Sequence, residues 1–251
     1  VPESSPIVPV RDGQAADSAA KVGPGRRING PGEPEEKVND HLPSTGRKRH
    51  LVGIAGAGCA LAFVVLGVLV SAWVPPLDRM IIDGVQIPPG SVLHQASLAV
   101  STIGVLACLA ILVAVAVRAR PRGVDLLLCA GFLLLCAAVA VLQFVFQRPG
   151  PPGQPLGFSF PSGHASISGA LAVTSVVIAA VFVRSWLRAV LILQCTAVLF
   201  TMAARIALAE HYLSDVVGAA LGVCAVGLLG VAAVKRWWTA DTRLAISRPR
   251  P

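Results

Sequence analysis

The chain reads as an all-α, polytopic membrane protein with six transmembrane helices, and three observations lead there. Its mean hydropathy is +0.72. Only 14% of its 251 residues are charged, whereas a soluble domain carries about 25%. The apolar residues gather in six runs, each close to the roughly 20 residues a helix needs to cross the hydrocarbon core. Strands of a membrane barrel would be about ten residues long and alternate in polarity, so helices are the better reading.

Residues 1–50 stand apart. They are rich in Pro, Gly and charge and end in Arg47-Lys48-Arg49. Such a segment cannot bury enough apolar surface to fold by itself, and it is expected to be a disordered basic tail. No apolar core of a signal peptide lies in its first 30 residues or so. The first apolar run, 51–74, is therefore expected to stay as a membrane helix. The others are predicted over 92–117, 124–146, 163–183, 189–209 and 213–234. Residues 75–91 are too broken by Pro and Gly to span and are expected to lie on the membrane surface, over whatever site exists there. A short basic segment, 235–251, follows, with Trp237-Trp238 as an interfacial anchor. The six cysteines all fall within apolar runs and none has CxxC spacing. They are expected to be small buried hydrophobes rather than disulfides or metal ligands.

Eighteen of the 21 Lys and Arg residues lie in the tail, the loops after the second and fourth spans, and the C-terminal segment. Only Arg79, Arg148 and Arg205 fall on the opposite side. The positive-inside rule places both termini in the cytoplasm. The net charge of +8 thus reports topology and calls for no nucleic-acid partner. It also places the loops after the third and fifth spans on the same, extracytoplasmic face.

Those two loops hold nearly all the remaining ionisable groups. A charge at a membrane helix centre costs roughly 2.5–3.5 kcal/mol on insertion scales, so charges kept at fixed places imply use. His211 and Asp215 are four apart and share a face if the last helix starts near them. A carboxylate on one imidazole nitrogen would expose the other as a nucleophile. Taken alone, the pair fits an acidic residue near a helix N-terminus at least as well. Ser162-Gly163-His164 opens the fourth helix. Serine is a natural N-cap there, and the free N–H groups of a helix start bind anions. Capping explains Ser162 without a ligand, but it does not explain His164. Arg148 and Arg205 sit on the face that otherwise excludes basic residues. Two guanidinium forks suit a phosphoryl group. His94 and Asp78 share this face, and His94 is read as an interfacial histidine. His41 and His50 fall in the tail.

Arg148-Pro149, Pro161-Ser162-Gly163-His164 and Arg205-x5-His211-x3-Asp215 together resemble the motifs of the type 2 phosphatidic acid phosphatase superfamily, whose members include glucose-6-phosphatases and vanadium haloperoxidases. The resemblance covers about 75–234 and is most specific over 148–215. It implies a lipid phosphate or diphosphate substrate, polyprenyl or phosphatidyl in type, and no metal or other cofactor. It implies catalytic roles for His211 as nucleophile, Asp215 as its orienting group and His164 as acid. Arg148, Ser162, Gly163 and Arg205 would bind phosphate. The family's first motif usually begins with a lysine seven residues before its arginine, and here that position is Val141. A catalytically silent phosphate-lipid-binding or scaffold protein is the alternative. On a helix, position 141 lies two turns before Arg148 and can face the same way.

Overall fold

The computed structural model describes residues 45–234, apart from 86, 152–153 and 155–156. The tail up to residue 44 and the segment 235–251, with its two tryptophans, lie outside the described residues. Among the described residues the extended elements are all helices: α1 (Thr45–Ala72), α2 (Pro76–Val85), α3 (Val92–Ala119), α4 (Val124–Ala137), α5 (Gln143–Phe146), α6 (Gly163–Phe182), α7 (Leu187–Ala207) and α8 (Leu213–Ala233). A 3₁₀ stretch, Ala138–Leu142, joins α4 to α5, and another, Arg184–Trp186, leads into α7. Six of these segments are long and apolar enough to cross a membrane, the third being Val124–Phe146 with its 3₁₀ stretch included. The chain is a multi-pass membrane protein.

The predicted spans match these helices to within a few residues at most ends, and the exceptions have physical causes. Residues 45–50, assigned to the tail, form the first turns of α1. The Arg49 Nε donates to the carbonyl of Ala232 at 2.6 Å. That bond satisfies one of the orphan carbonyls at the end of α8. Residues 75–91, expected not to span, hold no helix long enough to cross a membrane among the described residues. They contain α2, which buries Ile82 and Asp78 on one side.

The bundle is built around α6 and α8. Helix α6 touches α3, α4, α7 and α8, and α8 packs most extensively on α1. Lipid tails are as apolar as leucine, so helices associate in a bilayer through close packing and hydrogen bonds rather than through the hydrophobic effect. Both helices are made for that. Along α6, Ser166, Ser168, Ala170, Thr174 and Ser175 are buried small or hydroxyl-bearing residues. The buried Gln194 of α7 donates from Nε2 to the Cys108 carbonyl of α3 at 3.1 Å and to Ser175 Oγ of α6 at 2.7 Å. Large aliphatic side chains such as Leu61, Leu134 and Leu199 point outward. Cys108, Cys129 and Cys136 are buried as expected. Cys195 and Cys224 are exposed, Cys59 is intermediate, and all six are free thiols.

An aromatic cluster fixes the loop that precedes α6. Phe160 is fully buried and stacks on Phe63 of α1, with ring centres 5.6 Å apart, while Phe146 meets both rings edge-on at 5.1 and 5.5 Å. Such pairs contribute about 0.5–1.5 kcal/mol each beyond area burial. Gly218 of α8 is what admits the ring: a Cβ there would lie 2.2 Å from Phe160 Cε2. Packing at Gly218 therefore sets the position of Ser159 and Ser162, on either side of Phe160 and the cis-linked Pro161.

Candidate active site

The loop between α5 and α6 doubles back on itself. Pro149 and Phe158 form an isolated antiparallel bridge, and the Ser159 N–H donates to the Arg148 carbonyl at 2.8 Å. This fold-back brings the first motif to the second. The second is tied to the third by the Ser162 N–H, which donates to the Asp215 carbonyl at 3.2 Å. Residues scattered over 68 positions thus meet at one end of the bundle.

His211 is buried, 3% exposed. Its Nδ1 lies 3.1 Å from the Ser159 carbonyl and 3.7 Å from Asp215 Oδ2. A carbonyl only accepts, so this contact places the proton on Nδ1 and leaves Nε2 with a free lone pair. The sequence pointed to Asp215 as the direct partner. The difference follows from where the helix begins: α8 starts at Leu213, so His211 is outside it and the i, i+4 geometry does not apply. Asp215, in the first turn, reaches back instead and accepts the Tyr212 N–H at 2.8 Å.

Arg148 also departs from expectation. Its side chain is 1% exposed, and its guanidinium turns onto protein groups rather than an open anion cradle. Nη1 donates to Asp215 Oδ1 at 2.5 Å and to Ser214 Oγ at 2.6 Å, and Nη2 to Asp78 Oδ2 at 2.9 Å. The Arg148 Cζ lies 4.2 Å from the centre of the Tyr212 ring, a cation–π contact. Asp78, from α2, accepts the Ser214 N–H at 3.0 Å and also the Ser214 hydroxyl. Two carboxylates and one guanidinium make a buried cluster with one net negative charge behind His211. Burial raises the Tyr212 hydroxyl above its ordinary range, with Arg148 opposing, so that phenol stays neutral at physiological pH.

Arg205 lies in the last turn of α7, mostly shielded but not sealed, and pairs with Glu210. His164, on the first turn of α6, is exposed and lies within electrostatic reach of Arg205, Glu210 and His211. Ser162 occupies the N-cap position of α6, yet its side chain makes no capping bond. Its buried Oγ has no protein partner among the described residues, and the same holds for Arg205 Nε. Capping therefore does not account for the Ser162 hydroxyl.

Val141 falls in the 3₁₀ stretch and is 60% exposed, while Arg148 is buried. The two do not share a face, because the helix tightens between them and ends before Arg148 at Gln147, which has a positive φ. His94 sits on the first turn of α3, its N–H bonded to Ser91 Oγ at 3.1 Å. Among the described residues no group of three His, Cys, Asp or Glu side chains gathers as a metal-holding set. Sequence reasoning missed the Ser159 carbonyl, Ser214 and Glu210. Glu210 alone left a signal, as an acid next to the key histidine.

The comparisons with known proteins agree with this arrangement. Residues 125–239 match the model of the PAP2 superfamily, a stretch that contains all three motifs. The fold is similar to that of the first transmembrane PAP2 type phosphatidylglycerolphosphate phosphatase from Bacillus subtilis, with a TM-score of 0.55 and 18% sequence identity, over 78% of this chain and 98% of that one. No curated protein sequence matches the chain significantly.

Proposed function

We propose that the protein is a lipid phosphatase of the cell membrane that hydrolyses a lipid phosphate or diphosphate through a phosphohistidine. The observation that carries this reading is the setting of His211. Its Nδ1 is held on a carbonyl, its Nε2 is free, and His164, Ser162 and Arg205 stand at the same end of the bundle.

In the first step His211 Nε2 attacks phosphorus. The bond from phosphorus to the leaving oxygen breaks, and protonated His164 gives that oxygen its proton. The leaving group is the lipid alcohol, or the lipid monophosphate when the substrate is a diphosphate. In the second step water gives a proton to His164 and attacks phosphorus, the P–N bond breaks, and phosphate leaves. Arg205, the Ser162 hydroxyl and the Gly163 N–H stabilise charge on the equatorial oxygens. Substrate displaces Glu210 from Arg205. Arg148 acts from behind. With Asp78 and Asp215 it presents one net negative charge to the imidazole ring as that ring becomes positive. The mechanism uses the chain's own side chains and calls for no metal.

The basic-residue asymmetry supports cytoplasmic termini and an extracytoplasmic site, where a headgroup can enter while its tail stays in lipid. A single cysteine at Gly150, in a chain without native cysteines, should then react with an impermeant thiol reagent on intact cells. Labelling only after lysis reverses the orientation. Phosphate release by purified protein in detergent, from phosphatidyl phosphates and polyprenyl diphosphates side by side, tests the activity. No release from any of them would leave a silent binding protein.

A further inference from the structure

We propose that the fissure between α7 and α8 is a tail-binding site that takes the two acyl chains of one diacyl lipid phosphate, one in each of two grooves. The inference rests on the phosphatase reading and names its substrate class.

Helices α7 and α8 are consecutive and antiparallel, joined by only residues 208–212. They meet at the site end, where Met202, Ile206 and Leu213 pack with Ala165, Val216 and Ala219. Away from it they do not pack side by side: α7 rests on α3 and α6, and α8 on α1 and α6. The space between them holds two apolar cavities of similar size. One, of 510 Å³, is walled by α6, α7 and α8. The other, of 490 Å³, is walled by α7, α8 and Cys59 of α1. Leu199, Met202, Ala220 and Cys224 line both, so the grooves run on either side of a shared wall.

Both grooves extend toward the end of the bundle that holds the site. The first reaches Ala165, the residue after His164 in the chain, and the second reaches Ile206, the residue after Arg205, and Leu213, two residues after His211. Along α6 the first runs from Ala165 to Val177, about 18 Å at 1.5 Å per residue, more than half of a hydrocarbon core about 30 Å thick. No charged side chain lines either. Gln194 borders the first, but its amide N–H groups are engaged by Cys108 and Ser175. Two grooves of similar size that reach the same end of the bundle and share a wall match a headgroup carrying two chains. A single prenyl chain would leave one groove without a role. Moving a tail from bilayer to groove gains little solvation energy, so the grooves act by alignment, holding phosphorus in line with His211 Nε2.

Two substitutions separate the grooves. Of these two grooves, Ala172 lines the first and not the second, and Ala203 the second and not the first; neither is fully buried. Ala172→Phe and Ala203→Phe should each lower kcat/KM for a long-chain diacylglycerol phosphate, relative to para-nitrophenyl phosphate, by about ten- to a hundredfold, since a small misplacement of reacting atoms costs that much. The single-chain lyso form should respond to one variant only. In the unaltered protein, a long-chain diacyl phosphonate should slow labelling by an apolar maleimide at both Cys195, in the first groove, and Cys59, in the second. This second measurement does not depend on a variant folding. An unchanged ratio in either variant, protection of only one cysteine, or turnover of polyprenyl diphosphate but not of the diacyl ester would overturn the proposal while leaving the phosphatase reading intact. Failure of the unaltered protein to hydrolyse any ester would overturn both.

Discussion

Arg148 and Arg205 come from two motifs of one family pattern, and the structure puts them in opposite situations. Arg148 is sealed from solvent between Asp78 and Asp215, with a ring against its face. Arg205 is partly open, has one carboxylate partner, and keeps Nε without a protein partner among the described residues. A guanidinium already bonded to two carboxylates and a hydroxyl has little left for a phosphate. One bonded to a single, part-exposed glutamate can exchange it for a stronger anion. Under the proposed mechanism the same residue type supports the nucleophile in one place and grips substrate in the other. Counting counterions and burial, not the motif, tells them apart.

Substitution at each arginine should separate these roles. Arg148→Ala leaves two buried carboxylates facing each other. Breaking a buried pair costs about 3–5 kcal/mol, so the purified variant should lose that much stability, read by thermal unfolding in detergent. Arg205→Ala exposes no such conflict. It should unfold close to the unaltered protein yet lose activity by about 10²–10³, the usual cost of one transition-state donor. If Arg148→Ala folds normally and merely raises KM, the two arginines share one role after all.

A smaller effect is expected at Asp215. In a serine protease triad the corresponding Asp→Asn change costs about 10⁴ because the histidine adopts the wrong tautomer. Here the Ser159 carbonyl fixes the tautomer. Asp215→Asn should therefore cost distinctly less, about 10²-fold in kcat from lost charge support. A loss as large as that of the triad would mean Asp215 contacts His211 directly during turnover. The smallest effect is expected at Val141. It faces outward and is far more exposed than Arg148, so Val141→Lys should leave kcat/KM on monophosphate and diphosphate lipids unchanged within about twofold, as surface changes usually do. A clear gain on the diphosphate would show that a lysine there still reaches the site.

Much of this was legible in the sequence, for identifiable reasons. The spans announce themselves because each must be long and apolar, and their ends were read to within a few residues except at 45–50, where helical residues carry the charges of a tail. His164, His211, Arg205 and Ser162 stood out as polar groups in an apolar chain. What escaped were relations rather than residues. Asp78 meets Arg148 across 70 positions and Ser214 across 136, and no local pattern encodes such pairings. The Ser159 carbonyl is invisible to any reading of side chains. The 3₁₀ turn that swings Val141 outward lies in a run of Ala and Val, whose composition does not distinguish it from ordinary helix.

The central claim is that His211 carries the phosphoryl group. Acid-sensitive, alkali-stable label should appear on His211 when the protein is mixed with a ³²P-labelled lipid phosphate and quenched rapidly. In His164→Ala, which lacks the acid of the first step and the base of the second, it should accumulate when the labelled substrate is para-nitrophenyl phosphate, whose leaving group needs no acid. Folded His211→Ala should show neither label nor turnover. Turnover by that variant, or label found on another residue, would contradict the account.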